Sequence, residues 1–400
     1  MQNADVLILG GGLIGLTTAL ALDAHGITSV VVDPADPATT LSPAFDGRAS
    51  AIASASWRML AAIGIAERLR PHGCPIRRIE VRDGLQRDPL DFTPDDGEAL
   101  GTMVENRVLR AVLRDAALAA PGVDLRMPAR ATVDRAEFGV TATLDDGSQV
   151  SAPLLIVAEG RNSPTRAAAG IRIAQWRYDH AAIVSAFDHE RDHDNVAHEI
   201  FYSDGPFALL PMLPGTRSAL VWTVSAKDSA GVMALSDHAF AVEAEKRAGG
   251  LLGRLSVAAP RASWPLGFHH AARIVASRLV LVGDAAHGIH PIAGQGLNLG
   301  LRDVAALTQV LVEGTRTGLD LGDAALLAQY QRWRSLDTLL VATATDGLTR
   351  LFGLRGPAAR SVRRFGLGVV QATPPLKSLF MAEARGESGK LPRLLQGALV

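Results

Sequence analysis

Three glycines set directly after a short apolar run constrain this chain more than any other feature. Val6-Leu7-Ile8-Leu9 is followed by Gly10-Gly11-Gly12-Leu13-Ile14-Gly15, and an apolar helical stretch then runs to about His25. Gly10, Gly12 and Gly15 therefore fill a G-x-G-x-x-G pattern between a strand and a helix. Gly10 allows the tight turn, Gly12 removes the side chain that would keep a pyrophosphate from the helix N-terminus, and Gly15 lets helix and strand pack closely. Backbone N–H groups of the first helical turn, at Leu13 and Ile14, face such an anion. A second apolar run, Val30-Val31-Val32, ends at Asp33, 18 residues beyond Gly15. A carboxylate there can accept hydrogen bonds from a ribose diol. The bland alternative is a glycine-rich turn in an unrelated α/β domain, and the joint presence of strand, helix and acid weighs against it. The pattern predicts a bound dinucleotide without separating NAD from FAD.

A chain of 400 residues exceeds what one small core needs, so two domains, or one domain with an inserted partner, are expected. Forty basic and 41 acidic side chains are scattered and leave a net charge of −1, which argues against nucleic acid as a partner. The single cysteine, Cys74, excludes an intramolecular disulfide and a dithiol redox centre and fits a reducing, intracellular compartment. The apolar pattern starts at Ala4, leaving no room for an export signal. The longest early uncharged run, Val6 to Leu22, is broken by four glycines, so no transmembrane span is predicted.

Further along, residues 53 to 70 and Val104 to Leu118 read as helices, and residues 75 to 103 alternate around the turns Asp83-Gly84 and Asp95-Asp96-Gly97. Residues 131 to 157 predict a β-meander bent at Asp145-Asp146-Gly147, and residues 176 to 225 alternate as strands do. The buried run Leu279-Val280-Leu281-Val282 leads into Gly283-Asp284 and returns the chain to its first domain. From about Tyr330 the pattern is mostly helical as far as Pro374-Pro375. The expected division is a discontinuous nucleotide-binding domain (1-75, 104-175 and 271-345), a sheet-rich domain (76-103 and 176-270) and a C-terminal helical region (346-400).

The second glycine cluster separates the cofactors. Residues 278 to 303 read as a buried strand, a Gly-Asp pair, a His-Pro turn and a helix whose first turn is crowded with glycines. At a strand end, the Asp284 carboxylate can hold the ribityl hydroxyls of a flavin. Leu297, Leu301, Val304, Leu307 and Leu311 recur at spacings of three and four and fix that helix against the sheet. Its N-terminus, around Gly294 to Leu297, offers free N–H groups that would stabilise negative charge at the N1/O2 edge of a reduced flavin.

The stretch His290-Pro291-Ile292-Ala293-Gly294-Gln295-Gly296-Leu297-Asn298-Leu299-Gly300-Leu301-Arg302-Asp303 resembles the signature of the ubiquinone-biosynthesis flavin hydroxylases, within the para-hydroxybenzoate hydroxylase superfamily of class A FAD monooxygenases. The likeness extends to the fingerprint at the start, to Asp46-Gly47-Arg48 with Ala51-Ile52, to Asn106-Arg107 and to Gly283-Asp284-Ala285-Ala286-His287. It implies an α/β fold: a Rossmann-like FAD-binding domain of the para-hydroxybenzoate hydroxylase type, a β-sheet-rich substrate domain and a C-terminal helical segment. It places Arg48 and Arg107 on the FAD side of the cleft, neutralising the pyrophosphate or capping the ribityl chain, although an isolated arginine is more commonly a solvated surface group. Around the cofactor it sets Pro291, Gly294, Gln295, Gly296, Leu297 and Asn298, with the Pro291 carbonyl facing the substrate and orienting a phenol. One departure is Glu159, where the family usually carries aspartate before the glycine. That weakens any inference about nicotinamide-nucleotide docking, and a strand end followed by a helix cap through Asn162 or Ser163 is the competing interpretation. His287 and His290 sit in the cofactor turn, as proton-transfer groups or as partners of backbone. The adjacent His269 and His270 of a strand point to opposite faces and do not share a metal.

The resemblance implies an FAD-dependent aromatic-ring monooxygenase that hydroxylates a polyprenylated phenol or quinol of ubiquinone biosynthesis through a flavin C4a-hydroperoxide, with NAD(P)H as electron donor. The cofactor then carries the difficult chemistry, which fits a sequence without a triad, metal cluster or redox dithiol. So apolar a substrate must be delivered by a membrane or a partner. The expected setting is cytoplasmic and peripheral on the inner membrane, with a ubiquinone-biosynthesis complex and a homo-oligomer left open. The tail around Leu376 to Met381, with Lys377 and Arg385, either makes that contact or packs on the enzyme itself. Competing readings are a hydroxylase of another small aromatic compound and a non-catalytic FAD-binding subunit. A flavin halogenase would need a paired-tryptophan motif, which Trp264-Pro265 is not.

Overall fold

The structure is a computed structural model that describes residues 1–40, 45–86, 88–288, 295–335, 370–371 and 373–400. Its centre is a parallel sheet. Val6–Leu9 lies between Leu154–Val157 and Ser29–Val32, flanked outward by Leu279–Leu281 and Val123–Arg126, with Val275–Ala276 as an antiparallel edge. Continuous apolar strands suit a sheet covered on both faces, and Val6, Leu7, Ile8, Leu155 and Ile156 have no exposed surface. The helix Leu13–Asp23 is buried from Gly15 to Leu22, as an all-apolar helix must be. The return of the chain to pair Leu279–Leu281 beside Leu154–Val157 brings Gly283-Asp284 to the same sheet end as the glycine turn. That crevice, outside the carboxyl ends of the strands, is where open α/β sheets bind ligands.

Of the meander predicted over residues 131–157, residues 131–152 form three antiparallel strands, extended by Gln2–Asn3 into four, whereas Leu154–Val157 crosses instead into the parallel sheet. A large sheet of eight strands is built mainly from Ile173–His189, Val196–Tyr202, Gly205–Met212, Arg217–Ser225 and Leu255–Ala271, with Arg78–Asp83 and Leu90–Phe92 at its far edge. One face packs Phe187, Phe207 and Trp222 against Phe240 and Ala244 of the helix Asp237–Ala248, a covering helix the alternating pattern does not announce. The other face meets a three-stranded sheet of Ala49–Ala53, Gly101–Glu105 and Cys74–Ile76, through Ala197, Phe201, Met212, Ile76 and Met103.

Most of the predicted C-terminal helical stretch, residues 336–369, lies outside the described residues. The helix Pro374–Ala384 begins at the two prolines instead of ending there, since proline is well placed in a first turn that needs no N–H partner. Beyond it the chain is mostly irregular, ending in the 3₁₀ turn Arg393–Gln396. Leu394 and Leu395 are fully buried in the core that contains the parallel sheet. Arg302 donates to the carbonyls of Gly386 and Ser388 at 2.9 and 2.8 Å, and Arg58 pairs with Glu387 at 2.7 Å. Among the described residues, no helix is long and apolar enough to cross a membrane.

Candidate active site

The glycine turn has the stereochemistry its sequence demands. Gly10 sits at φ +106°, and a Cβ there would lie 2.4 Å from the Ala158 carbonyl oxygen. A Cβ on Gly15 would lie 1.8 Å from the carbonyl oxygen of Gly10. Both glycines are thus required by the protein itself. Gly12 differs: its backbone is extended, it is exposed, and a Cβ added to it meets nothing within 4 Å. No side chain caps the helix it opens, which carries no acid in its first turn, so the N–H end of Leu13–Asp23 is suited to an anion. Asp33 accepts the Gly11 N–H at 2.6 Å and the Ala35 N–H at 2.7 Å, which fixes its half-buried carboxylate beside the turn.

Arg48 and Arg107 lie 59 residues apart in sequence and meet through strand pairing. Ala49 registers with Glu105, and the Asn106 N–H donates to the Arg48 carbonyl at 3.0 Å. Arg48 is braced by Asp46 (Nε to Oδ2, 2.7 Å) and Arg107 by Glu105. Burial would raise the Asp46 carboxyl, but hydrogen bonds from Arg48 outweigh it and hold it below the usual aspartate value. Arg110, one turn beyond Arg107, is a basic residue the motifs do not single out. Burial and the neighbouring Arg48 charge both push its pKa down. A guanidinium whose charge is disfavoured by a second guanidinium close by is a natural setting for an anionic group.

The third wall is the Gly283-Asp284 turn with the helix Gln295–Arg316. Ile14 of the fingerprint packs into space that two glycines leave open: a Cβ on Gly283 would come within 3.1 Å of Ile14 Cγ1, and one on Gly300 within 2.6 Å of Ile14 Cδ1. The two glycine motifs are therefore in direct contact. The Asp284 side chain is exposed, while its carbonyl accepts from His269 Nε2 at 2.8 Å, which holds the turn. Gly296, like Gly12, faces open space, and Leu297 is half-buried. The Asn298 amide is taken up by the protein, donating to the Ala51 carbonyl at 2.8 Å and accepting the Ala53 N–H at 2.9 Å. Its side chain docks the helix on the strand Ala49–Ala53. Pro291, Gly294 and His290 lie outside the described residues, as does the Gln295 side chain.

Beneath this turn lies a buried ionic cluster that motif spacing does not predict. Asp303, fully buried, accepts from His287 Nε2 (2.7 Å), Arg334 Nε (2.6 Å) and the Gly283 N–H (2.9 Å). Burial alone would raise its carboxyl, but the His287 and Arg334 charges hold it below the ordinary value. Asp303 thereby joins the Gly-Asp turn, the following helix and Arg334, and His287 is engaged by its carboxylate. Glu159 accepts from Ser163 Oγ at 2.6 Å and from the Thr165 N–H and hydroxyl at 3.1 and 2.9 Å, and Ser163 caps the short helix Pro164–Ala168. The helix-cap interpretation of that departure is the one the geometry supports. Cys74 is buried, its thiol pushed up to about 11 by desolvation, so it is not a ready nucleophile.

Between the three-stranded sheet and the eight-stranded sheet lies a small cavity of about 60 Å³. Ala51, Ala53 and Ile76 line one side, Ile79, Ala197 and Leu210 the other, and Asn298 of the cofactor-side helix also reaches it.

The FAD binding domain family model matches residues 3–342. A ubiquinone hydroxylase, UbiL, of Rhodospirillum rubrum is 45% identical, covering 98% of this chain and 93% of its own. The 3-demethoxyubiquinol 3-hydroxylase of Escherichia coli is 33% identical over 96% of this chain and 99% of its own. The mitochondrial ubiquinone biosynthesis monooxygenase COQ6 of Xenopus tropicalis is 33% identical over 95% and 93%. Among solved structures, the p-nitrophenol 4-monooxygenase PnpA of Pseudomonas putida superposes with a TM-score of 0.79 at 18% identity, covering 98% of this chain and 100% of that one; this likeness is one of fold.

Proposed function

This chain belongs to the ubiquinone-biosynthesis flavin hydroxylases of the FAD binding domain family, and on that premise we propose that it hydroxylates the ring of a polyprenylated phenol or quinol on the way to ubiquinone. It is an FAD-dependent monooxygenase, for which NAD(P)H is the electron donor we infer. The observation that carries the proposal is the direct contact of the two glycine motifs, Ile14 against Gly283 and Gly300, on the helix whose Asn298 reaches the apolar cavity.

FAD supplies, when bound, the reductive activation of dioxygen. The chain's residues do the rest. Gly12 and Gly296 leave room at two helix N-termini, Arg48, Arg107 and Arg110 offset phosphate charge, and Asp33 and Asp284 accept from sugar and ribityl hydroxyls. The backbone at Leu13, Ile14 and Leu297 contributes N–H groups, and Pro291, Gly294 and Gln295 complete the flavin side. The apolar faces of the three-stranded and eight-stranded sheets would orient the ring and keep water from it. The first domain comprises residues 1-75, 104-175 and 271-345, the substrate domain residues 76-103 and 176-270. A cytoplasmic location with peripheral contact at the inner membrane fits the exposed Leu379 and Phe380, near Ala384, which lines the cavity.

The test is turnover of the purified, FAD-loaded chain with NAD(P)H, dioxygen and a prenylated phenol. Phenol-stimulated oxygen uptake with a product heavier by one oxygen atom is expected. Oxygen-independent turnover, or flavin reduction without product, would contradict it.

A further inference from the structure

The turn that carries Arg48 is seated on the eight-stranded sheet. Asp46, Gly47 and Arg48 form a self-braced unit, because the Asp46 carboxylate accepts both the Arg48 N–H at 3.0 Å and its Nε at 2.7 Å. Gly47, buried between them, has φ +82°, a conformation that side chains rarely adopt. A Cβ there would lie 3.1 Å from the Pro260 carbonyl oxygen and 3.3 Å from Ser185 Cα. Both neighbours lie where the two longest strands of that sheet, Ile173–His189 and Leu255–Ala271, slip out of register. Val184 pairs with Ala262 and Ala186 with Ala259, so Pro260 and Arg261 together oppose Ser185. A second slip follows at once, since Phe187 pairs with Val257 and leaves Ala258 unopposed. Such bulges bend and re-aim a strand and are frequent beside active sites. Proline, with no N–H for the ladder, is confined in sheets to edges and bulges. Ser185, fully buried, ties the bulge together by donating its hydroxyl to the Ala259 carbonyl at 2.8 Å.

We propose that this bulge is the seat that positions Arg48 for the cofactor's phosphate, with Gly47 as the positioning residue, an assignment that rests on the place given to Arg48 in the function proposed above. The missing side chain lets the turn approach to contact distance. Any Cβ would push the Asp46–Arg48 unit off the sheet as one body, because its internal bonds stay made. Arg48 is then displaced and not lost, and a charge-assisted hydrogen bond weakens steeply once its geometry is poor. The sheet of the substrate domain thereby helps to build the cofactor site.

The experiment measures the rate of FAD release from the loaded full chain, followed by the rise in flavin fluorescence, in a double-substitution cycle. Gly47→Ala is expected to speed release about tenfold in the wild-type background and less than about twofold once Arg48→Met is present, since residues acting through one another are not additive. Ser185→Ala, which loosens the bulge without adding bulk, should speed release about threefold with the same dependence on Arg48, and it keeps the test open if Gly47→Ala does not fold. A merely structural role would speed release equally in both backgrounds. Equal effects in the two backgrounds, or wild-type release in both single variants, overturn the assignment alone. Wild-type release from Arg48→Met overturns the place of Arg48 along with it, and a wild-type chain that takes up no FAD overturns the proposed function.

Discussion

The glycines of the fingerprint divide by what surrounds them. Gly10 and Gly15 are held by clashes within the protein, whereas Gly12 faces open space. Gly12→Val should therefore leave the melting temperature of the flavin-free chain nearly unchanged, as surface substitutions shift stability by about 0.5 kcal/mol or less. Its FAD affinity, followed by flavin fluorescence, should fall by at least about tenfold. Gly15→Ala should lower stability itself, and the reverse pattern would contradict the assignment. Asp303 makes the second residue-scale prediction. Removing one partner of a buried ionic cluster costs about 3–5 kcal/mol, so Asp303→Asn should unfold at markedly lower denaturant at neutral pH. Because the folded Asp303 carboxyl is held below its ordinary value of 3.8, its contribution is complete above that pH and lost as pH falls toward the folded value. The gap between wild type and Asp303→Asn should narrow on acidification, and a constant gap would show that Asp303 is not charged in the fold. Sequence made the glycines and Asp33 legible because their chemistry is local. The roles of Asp303, Arg110 and the Asn298 amide were hidden because each depends on partners tens to hundreds of residues away.

Strands were readable from apolar runs and from Asp-Gly bends, which specify structure within a few residues. The helix Asp237–Ala248 was not, because its buried face, Phe240, Ala241, Ala244 and Ala248, is mostly alanine and gives little contrast. Whether the end of the chain packs on the enzyme itself was left open by its sequence; Leu394 and Leu395, which no motif singles out, are core. Leu394→Ala should cost about 2–5 kcal/mol in chemical denaturation, and deleting residues 385–400 should deplete folded, flavin-binding protein. A deletion with wild-type stability would refute the packing. Membrane contact is better tested by Leu379→Ser with Phe380→Ser, both on exposed positions. That pair should reduce co-sedimentation with anionic vesicles while FAD content holds, and unchanged sedimentation would discard the docking idea.

At the scale of the molecule, the cavity lies between the eight-stranded and three-stranded sheets, beside the helix that follows the Gly283-Asp284 turn of the parallel sheet. The parallel sheet brings its strand ends to the glycine turn and the Gly283-Asp284 turn, and the eight-stranded sheet, with the three-stranded one, builds the apolar wall. The Rossmann-like half was legible because its motif demands specific residues at fixed spacing. The cavity was not, because Ala51, Ile79 and Ala197 carry no signal until strand pairing brings them together. All of this depends on FAD lying between the turn at residues 10–15 and the Asp284 strand end. The most direct measurement is the visible spectrum of the purified chain, followed by identification of whatever heat releases. Flavin bands from FAD, near one per chain and strongly reduced in Gly12→Val, are predicted. A colourless chain that stays colourless after incubation with FAD would contradict the account.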